Sequence, residues 1–189
     1  MNIIVQPYGS DSCYCRPDTT WERENRDFYV PEGIGEVHWA PVVFVRISKA
    51  GKCIGEKFAE RYYDAFNFGA LLYCHPEQSE GSFPIAFSSC IDHTSLLPSP
   101  THNLSELENT ESVFTVTRNA EEIFKSESEI TEKIRNAVCR ASKLTSLRIG
   151  DYLAVELAPS TIFAAHGKDE SALKATFGTD ETINIKVIF

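Results

Sequence analysis

Five histidines and six cysteines are the residues of this 189-residue chain most able to bind a metal or attack an electrophile, and their spacing is the first thing to test. Cys13-Tyr14-Cys15 is a C-x-C pair whose side chains share one face of a strand, a soft-metal arrangement that needs a second pair to close it. No second C-x-C or C-x-x-C follows, so small, half-buried thiols are the better reading. Cys74-His75 with Glu77, Asp92-His93 and His102 gather imidazole, thiolate and carboxylate donors, but their intervals fit no standard ligand pattern. Cys74 and Cys90 near a histidine have the outline of a nucleophile and its base, against which stands the commoner inert, buried thiol. Gly33-Ile34-Gly35 lacks the third glycine of a dinucleotide loop, and there is no Gly-x-Ser-x-Gly. Asn103-Leu104-Ser105 is a glycosylation sequon that has meaning only for a secreted chain.

Composition narrows the choices further. Eighteen Lys and Arg against 27 Asp and Glu give a net charge of −9, which repels phosphate backbones and anionic lipid and leaves no basic footprint for nucleic acid or a membrane surface. No run approaches the length of a spanning helix, and the start, MNIIVQPYGS, has neither the basic residues nor the long apolar stretch of a signal peptide. The expected compartment is therefore the cytoplasm, with the cysteines reduced. With 42% hydrophobic residues, the chain is long enough for one domain with a real core, and residues 1–189 are read as a single domain.

The elements that must position these groups are mostly strands. Val37–Ser48 is β-branched and aromatic, with Pro41 inside it, and reads as a long strand bulged or at an edge near the proline. Glu56–Ala65 places Phe58, Tyr62 and Ala65 on one face of a short amphipathic helix. Phe68–Cys74 and Phe83–Ile91 read as buried strands, and 92–111 as a long surface loop. Ser112–Thr117 and Glu121–Phe124 form a hairpin. Ser126-Glu127-Ser128-Glu129 is a capping box, behind which Ile130, Ile134, Ala137, Val138, Ala141 and Leu144 recur at helical spacing. Gly150-Asp151 opens a strand through Leu157, and Thr161–Ala165 and Thr182–Phe189 are two more. Many strands and two helices without regular βαβ alternation predict an α+β domain, a mixed sheet rolled into a barrel-like unit with flanking helices.

The block EVHWAPVVFVRISKAGKCIGEKFAERYYDAFNFGALL, residues 36–72, resembles the central segment of the fumarylacetoacetate hydrolase family in its small bacterial form. That family also includes hydroxyheptadienedioate isomerases, acylpyruvate hydrolases and oxaloacetate decarboxylases. Arg16-Pro17-Asp18-Thr19 resembles its Lys-Pro-Asp-Ser/Thr element, Asp27-Phe28-Tyr29-Val30-Pro31 its following strand, and Leu147-Arg148-Ile149-Gly150-Asp151 its Leu-x-x-Gly-Asp turn. The resemblance implies a barrel-like mixed sheet, usually in a homodimer. It also implies a Mg²⁺- or Ca²⁺-type site of hard oxygen ligands, two Glu at i and i+2 on one strand and an Asp on the next, with a lysine to help stabilise an enolate.

In this chain the two Glu positions fall at Ala40 and Val42, the Asp position at Leu71 and the lysine position at Ile85. The family's His-bearing N-terminal lid is shortened, and its Gly-Thr-Pro signature is replaced by Glu156-Leu157-Ala158-Pro159. One remaining carboxylate without its cation would cost about 3–5 kcal/mol, whereas apolar replacement of the whole charged set is close to neutral. The expectation is a non-catalytic homologue with no metal or other cofactor, a binding or structural partner with a small-molecule or protein ligand. His38 and His75 are the polar pair left in the pocket. The competing expectation is an active hydrolase, isomerase or decarboxylase on a 2-oxo acid or β-dicarbonyl, its site rebuilt from His38, His75, Asp92 or His93. A homodimer is expected from the apolar segments VVFVRI and INIKVIF.

Overall fold

The computed structural model describes residues 1–77, 85–108, 112–126, 130–168 and 170–189. Its strands are β1 (Asn2–Gln6), β2 (Tyr14–Pro17), β3 (Trp21–Glu22), β4 (Phe28–Tyr29), β5 (Ile34–Ile47), β6 (Tyr63–Pro76), β7 (Ser95–Leu96), β8 (His102–Asn103), β9 (Phe114–Arg118), β10 (Glu121–Lys125), β11 (Tyr152–Glu156), β12 (Thr161–Ala165), β13 (Ser171–Phe177) and β14 (Asp180–Ile188). The helices are α1 (Ile85–Ser88) and α2 (Ile130–Leu144), with 3-10 turns at Asp18–Thr20, Glu56–Tyr62 and Leu104–Glu108.

Two sheets carry the fold. The larger runs β2-β1-β11-β5-β6-β7-β3, with β12 beside β5 and β8 beside β6; the smaller runs β10-β9-β13-β14-β4. Both are mixed: β1 runs parallel to β11, β3 to β7 and β14 to β4, and the other pairs are antiparallel. The two long strands β5 and β6 alternate between two apolar clusters. Val37, Trp39, Val43, Val45 and Ile47 face the main core with the smaller sheet and α2, where Phe68 stacks on Phe114 at 4.7 Å. Ala40, Val42 and Phe44 face a second cluster with Ile3, Val5, Leu71, Leu97 and Ala154.

The large sheet curls around that second cluster. Tyr14 on β2 and Tyr73 on β6 are four places apart in strand order, yet their hydroxyls lie 2.7 Å apart. Arg16 closes the same seam: wholly buried, it donates to the carbonyls of Leu72 (2.8 Å) and Thr94 (3.0 Å) and to Ser95 Oγ (3.1 Å). This is the α+β, barrel-like sheet expected from the element pattern. Where β7 closes in on β6, a Cβ on Gly69 would stand 2.3 Å from the Leu96 carbonyl oxygen, so only glycine fits.

Pro41 is paired with Ala70 of β6 alone; on its other side β12 pairs only as far as Trp39 and β11 begins at Val42, so the proline stands at a local edge within the sheet, as its residue type predicts, and not at a bulge. The Pro41 carbonyl accepts from Leu157 N–H at 2.8 Å, so the proline nitrogen faces the gap where β11 gives way to β12, and its missing N–H costs no ladder bond. Residues 56–62 make a 3-10 turn rather than an amphipathic α-helix; β6 starts at Tyr63, Ala59 is the buried residue, and Phe58 lies exposed beneath Lys57 and Arg61. Seven residues leave too little length to repay helix nucleation.

The strand expected at 83–91 is replaced, over its described part, by the short α1, with Ile85 and Phe87 exposed. Strand β13 carries no expectation from the sequence. The hairpin β9–β10, helix α2 and strands β11, β12 and β14 fall where periodicity puts them. The capping box lies outside the described residues beyond Ser126. VVFVRI and INIKVIF are internal strands of this chain, with Val42–Val45, Ile47, Ile183, Ile185 and Val187 buried within it and Arg46, Asn184, Lys186 and Phe189 exposed. Among the described residues, no helix is long and apolar enough to cross a membrane.

Candidate functional site

Because side chains alternate along a strand, Glu36, His38, Ala40, Val42 and Phe44 of β5 share one face, and Leu71, Tyr73 and His75 of β6 answer them. The register pairs Glu36 with His75, His38 with Tyr73, and Ala40 with Leu71. Ala40, Val42 and Leu71 are each 0% exposed. The sheet therefore brings Leu71 of β6 onto the same surface as Ala40 and Val42 of β5. Ile85, by contrast, lies on α1 with its side chain exposed, in neither cluster.

His38 and His75 also come together, their rings stacked at 4.1 Å with 28° between planes. His38 Nε2–H donates to Glu36 Oε2 at 2.9 Å. Burial, and then the neighbouring His38, push the His75 imidazole below its ordinary pKa, while Glu36 opposes them. The other histidines go elsewhere: His93 pairs with the buried Glu22 at 2.9 Å, His102 with Glu106 at 3.0 Å and His166 with Glu77 at 2.8 Å. Asp92 and Cys90 line a shallow cleft with Tyr29 on the outside of the protein. Among the described residues, no three His, Cys, Asp or Glu side chains converge as metal ligands would.

The thiols divide by burial. Cys74 is buried and pushed up to about 12 by loss of solvent, which removes it as a nucleophile. Cys90 is exposed, not buried, and its Sγ–H donates to the Phe87 carbonyl at 3.2 Å. Cys13 is half-buried and Cys15 exposed; burial raises both thiols.

The polar groups that do meet at this face have no motif in the sequence. Glu156, on β11, stands directly opposite Val42 of β5 and is buried. One of its carboxylate oxygens accepts the Tyr73 O–H and the other the Tyr8 N–H, the latter at 2.9 Å. Since the Tyr73 proton is committed to a carboxylate, Tyr14 must donate to Tyr73, giving a relay Tyr14→Tyr73→Glu156. Arg16 lies over the Tyr73 ring, 4.7 Å from its centroid. Burial above all, and the negative charge of Glu156 with it, hold the Tyr73 phenol firmly protonated despite Arg16. The only signal for this network was polar residue types at strand positions whose neighbours are apolar, and that signal cannot name partners 59 and 83 residues away.

No protein-family model and no curated protein matches the sequence. Solved structures match the fold. A protein assigned to the fumarylacetoacetate hydrolase family from Yersinia pestis aligns at a TM-score of 0.74 with 16% identity, over 99% of this chain and 92% of that one. Fumarylpyruvate hydrolase from Pseudomonas aeruginosa, solved in complex with Mn²⁺ and pyruvate, aligns at 0.71 with 13% identity, over 100% and 96%. The 5-carboxymethyl-2-hydroxymuconate delta-isomerase from Mycobacterium smegmatis aligns at 0.77 with 14% identity, over 99% and 78%.

The side chains of Ala40, Val42 and Leu71 do not fit a divalent cation such as the one in the Pseudomonas protein, because a hydrocarbon surface offers no lone pairs to a hard ion. The fold of this chain, a curled mixed sheet with a second sheet packed against it, is that of the fumarylacetoacetate hydrolase family proteins it aligns with.

Proposed function

We propose that this chain is a non-catalytic protein on the fumarylacetoacetate hydrolase fold, a binding or structural partner that does without a metal cofactor. The observation that supports this reading is the buried trio Ala40, Val42 and Leu71 on one face of β5 and β6. In a fold whose Pseudomonas relative binds Mn²⁺ and pyruvate, the positions that the sequence resemblance assigns to the metal carboxylates are here hydrocarbon packed against Ile3, Val5 and Phe44. Replacing a whole charged set in this way avoids stranding a buried carboxylate, which is what makes the change tolerable. A homodimer is part of the proposal, with most of the apolar side chains of VVFVRI and INIKVIF buried within the chain itself and Phe189 at the end of the second segment left exposed.

Calorimetry with Mg²⁺ and with Mn²⁺ tests the reading. No stoichiometric heat is expected; a micromolar site lost on mutating Glu36 or Glu156 would overturn it.

One observation favours the second reading, an active hydrolase, isomerase or decarboxylase with a rebuilt site. Glu156 places a single buried carboxylate opposite Val42, beside a phenol that donates a hydrogen bond to it. Acetylpyruvate incubated with Mn²⁺ and the protein discriminates the two. Turnover that disappears in Glu156→Gln would establish the enzyme, and a flat trace supports the binding protein.

A further inference from the structure

Two stretches of this acidic chain contain no acid. Residues 48–55 and 133–150 hold seven of the 18 Lys and Arg and none of the 27 Asp and Glu, so a net charge of −9 conceals a local excess of cations. The fold joins the two stretches along a seam. Gly150 N–H donates to the Ile47 carbonyl at 2.9 Å, Gly51 and Leu147 exchange two bonds at 3.1 and 2.9 Å, and Cys53 N–H donates to the Ser142 carbonyl at 2.8 Å. The loop after β5 and the end of α2 with the turn before β11 therefore make one continuous surface.

Lys49, Lys52, Lys143 and Arg148 stand exposed around this seam. Lys52 and Lys143 each adjoin the Cys53–Ser142 bond, and Lys49 and Arg148 lie between the other two contacts. Long side chains so placed stand within roughly one Debye length, about 8 Å at physiological salt, and their fields add whichever rotamers they take. Lys49 lies over the Tyr62 ring at 5.2 Å, and none of the four has an ion pair among the described residues. Arg135 and Arg140, earlier on α2, are instead held by Glu56 at 3.5 Å and Asp11 at 3.0 Å. The same surface carries Ile149 and Leu144, 72% and 58% exposed, the two most exposed aliphatic side chains among the described residues. One exposed leucine is ordinary; two such side chains beside four cations without acidic partners mark a contact surface.

Net charge chooses among the anions that could cover it. A bilayer or a nucleic-acid duplex presents negative charge over an area wider than the seam, and so also meets the rest of a chain that holds every one of the acids. A short acidic segment covers the seam alone, within the screening length of its cations. We propose that this surface docks an acidic, aliphatic-containing peptide segment of a partner protein, its carboxylates on Lys52, Lys143 and Arg148 and its aliphatic side chains on Leu144 and Ile149. The inference rests on the binding-partner reading above and names the chemistry of that partner.

Fluorescence anisotropy of a labelled peptide of Glu-Asp pairs alternating with leucines, titrated with the full chain, tests it. Micromolar binding is expected at about 0.05 M salt, about tenfold weaker at about 0.2 M, and none for the Gln-Asn version of the peptide. Lys143→Glu should weaken binding about tenfold and Ile149→Ser about fivefold, both at exposed positions that leave the core untouched. Lys168→Glu, the same charge change in the exposed turn after β12, should leave it within about twofold. No binding at the lower salt, or equal losses in Lys143→Glu and Lys168→Glu, overturns the proposal. Tighter binding to phosphatidylserine vesicles or duplex DNA than to the peptide, lost in Lys143→Glu, also overturns it by assigning the seam to another anion. Turnover of acetylpyruvate with peptide binding intact removes the non-catalytic reading alone, and absence of both turnover and peptide binding removes the docking surface alone.

Discussion

The Tyr73 hydroxyl on β6 donates to the Glu156 carboxylate on β11 across the strand that lies between them. Tyr73 is in register with His38 and Glu156 with Val42, so the bond crosses β5 at the level of Ala40. Alanine is the smallest side chain a strand residue of that face can have without becoming glycine, and the crossing depends on it. A position with no polar atom of its own thus allows the only polar connection between these two strands on this face among the described residues.

Removing the Tyr73 hydroxyl should be costly. Tyr73→Phe leaves a buried carboxylate with one donor fewer and Tyr14 without its acceptor, a loss of about 1–3 kcal/mol. Urea unfolding should show a lower midpoint at an unchanged slope. Tyr14→Phe combined with Tyr73→Phe should be less destabilising than the sum of the two, since the groups share one relay. Strict additivity would mean that the relay does not exist in solution.

Returning a single carboxylate to the apolar cluster should be worse. Val42→Glu would place a carboxylate, in a fully buried position, beside Glu156 on the neighbouring strand. The cost of one unpaired buried charge is about 3–5 kcal/mol, increased by the like charge next to it. Thermal melting near neutral pH measures this, and an unchanged midpoint would show that the face is an open, hydrated groove.

The stacked histidines predict how stability depends on pH. His75 has a folded pKa below its unfolded value, so as pH falls the unfolded chain takes up this proton first. Stability is therefore full above the ordinary histidine range and falls as pH drops through it toward the lower folded value. The melting temperature of the wild type should decrease between about pH 7.5 and 5.5, around the ordinary histidine pKa, and His75→Gln should flatten part of that slope. An identical slope in both proteins would place His75 in solvent, away from His38.

Much of the architecture was legible locally. The strand alternation of Thr182–Phe189, the helical recurrence of Ile134, Val138 and Ala141, and the Gly150-Asp151 turn each follow from backbone stereochemistry within a dozen residues. That turn is fixed by two bonds of Asp151, to Arg148 N–H at 3.0 Å and to Asn2 N–H at 2.8 Å, and only the first of them is local. Where local readings fell short, a distant partner decided the matter. Pro41 does take an edge-like place, but one inside the sheet, which only the gap between β11 and β12 supplies; Glu56–Tyr62 reads as a helix, and β6 claims the residues that would have extended it.

That Ala40, Val42 and Leu71 are apolar is written in their residue types, and no fold can give them lone pairs. That 38, 40 and 42 share a face follows from the two-residue repeat of a strand. No local pattern places Leu71 opposite Ala40, stacks His38 on His75, or brings Glu156, Tyr73, Tyr14 and Arg16 together. Those contacts depend on strand register and on how far the sheet curls, quantities set by the packing of the whole core and not by any segment of the chain.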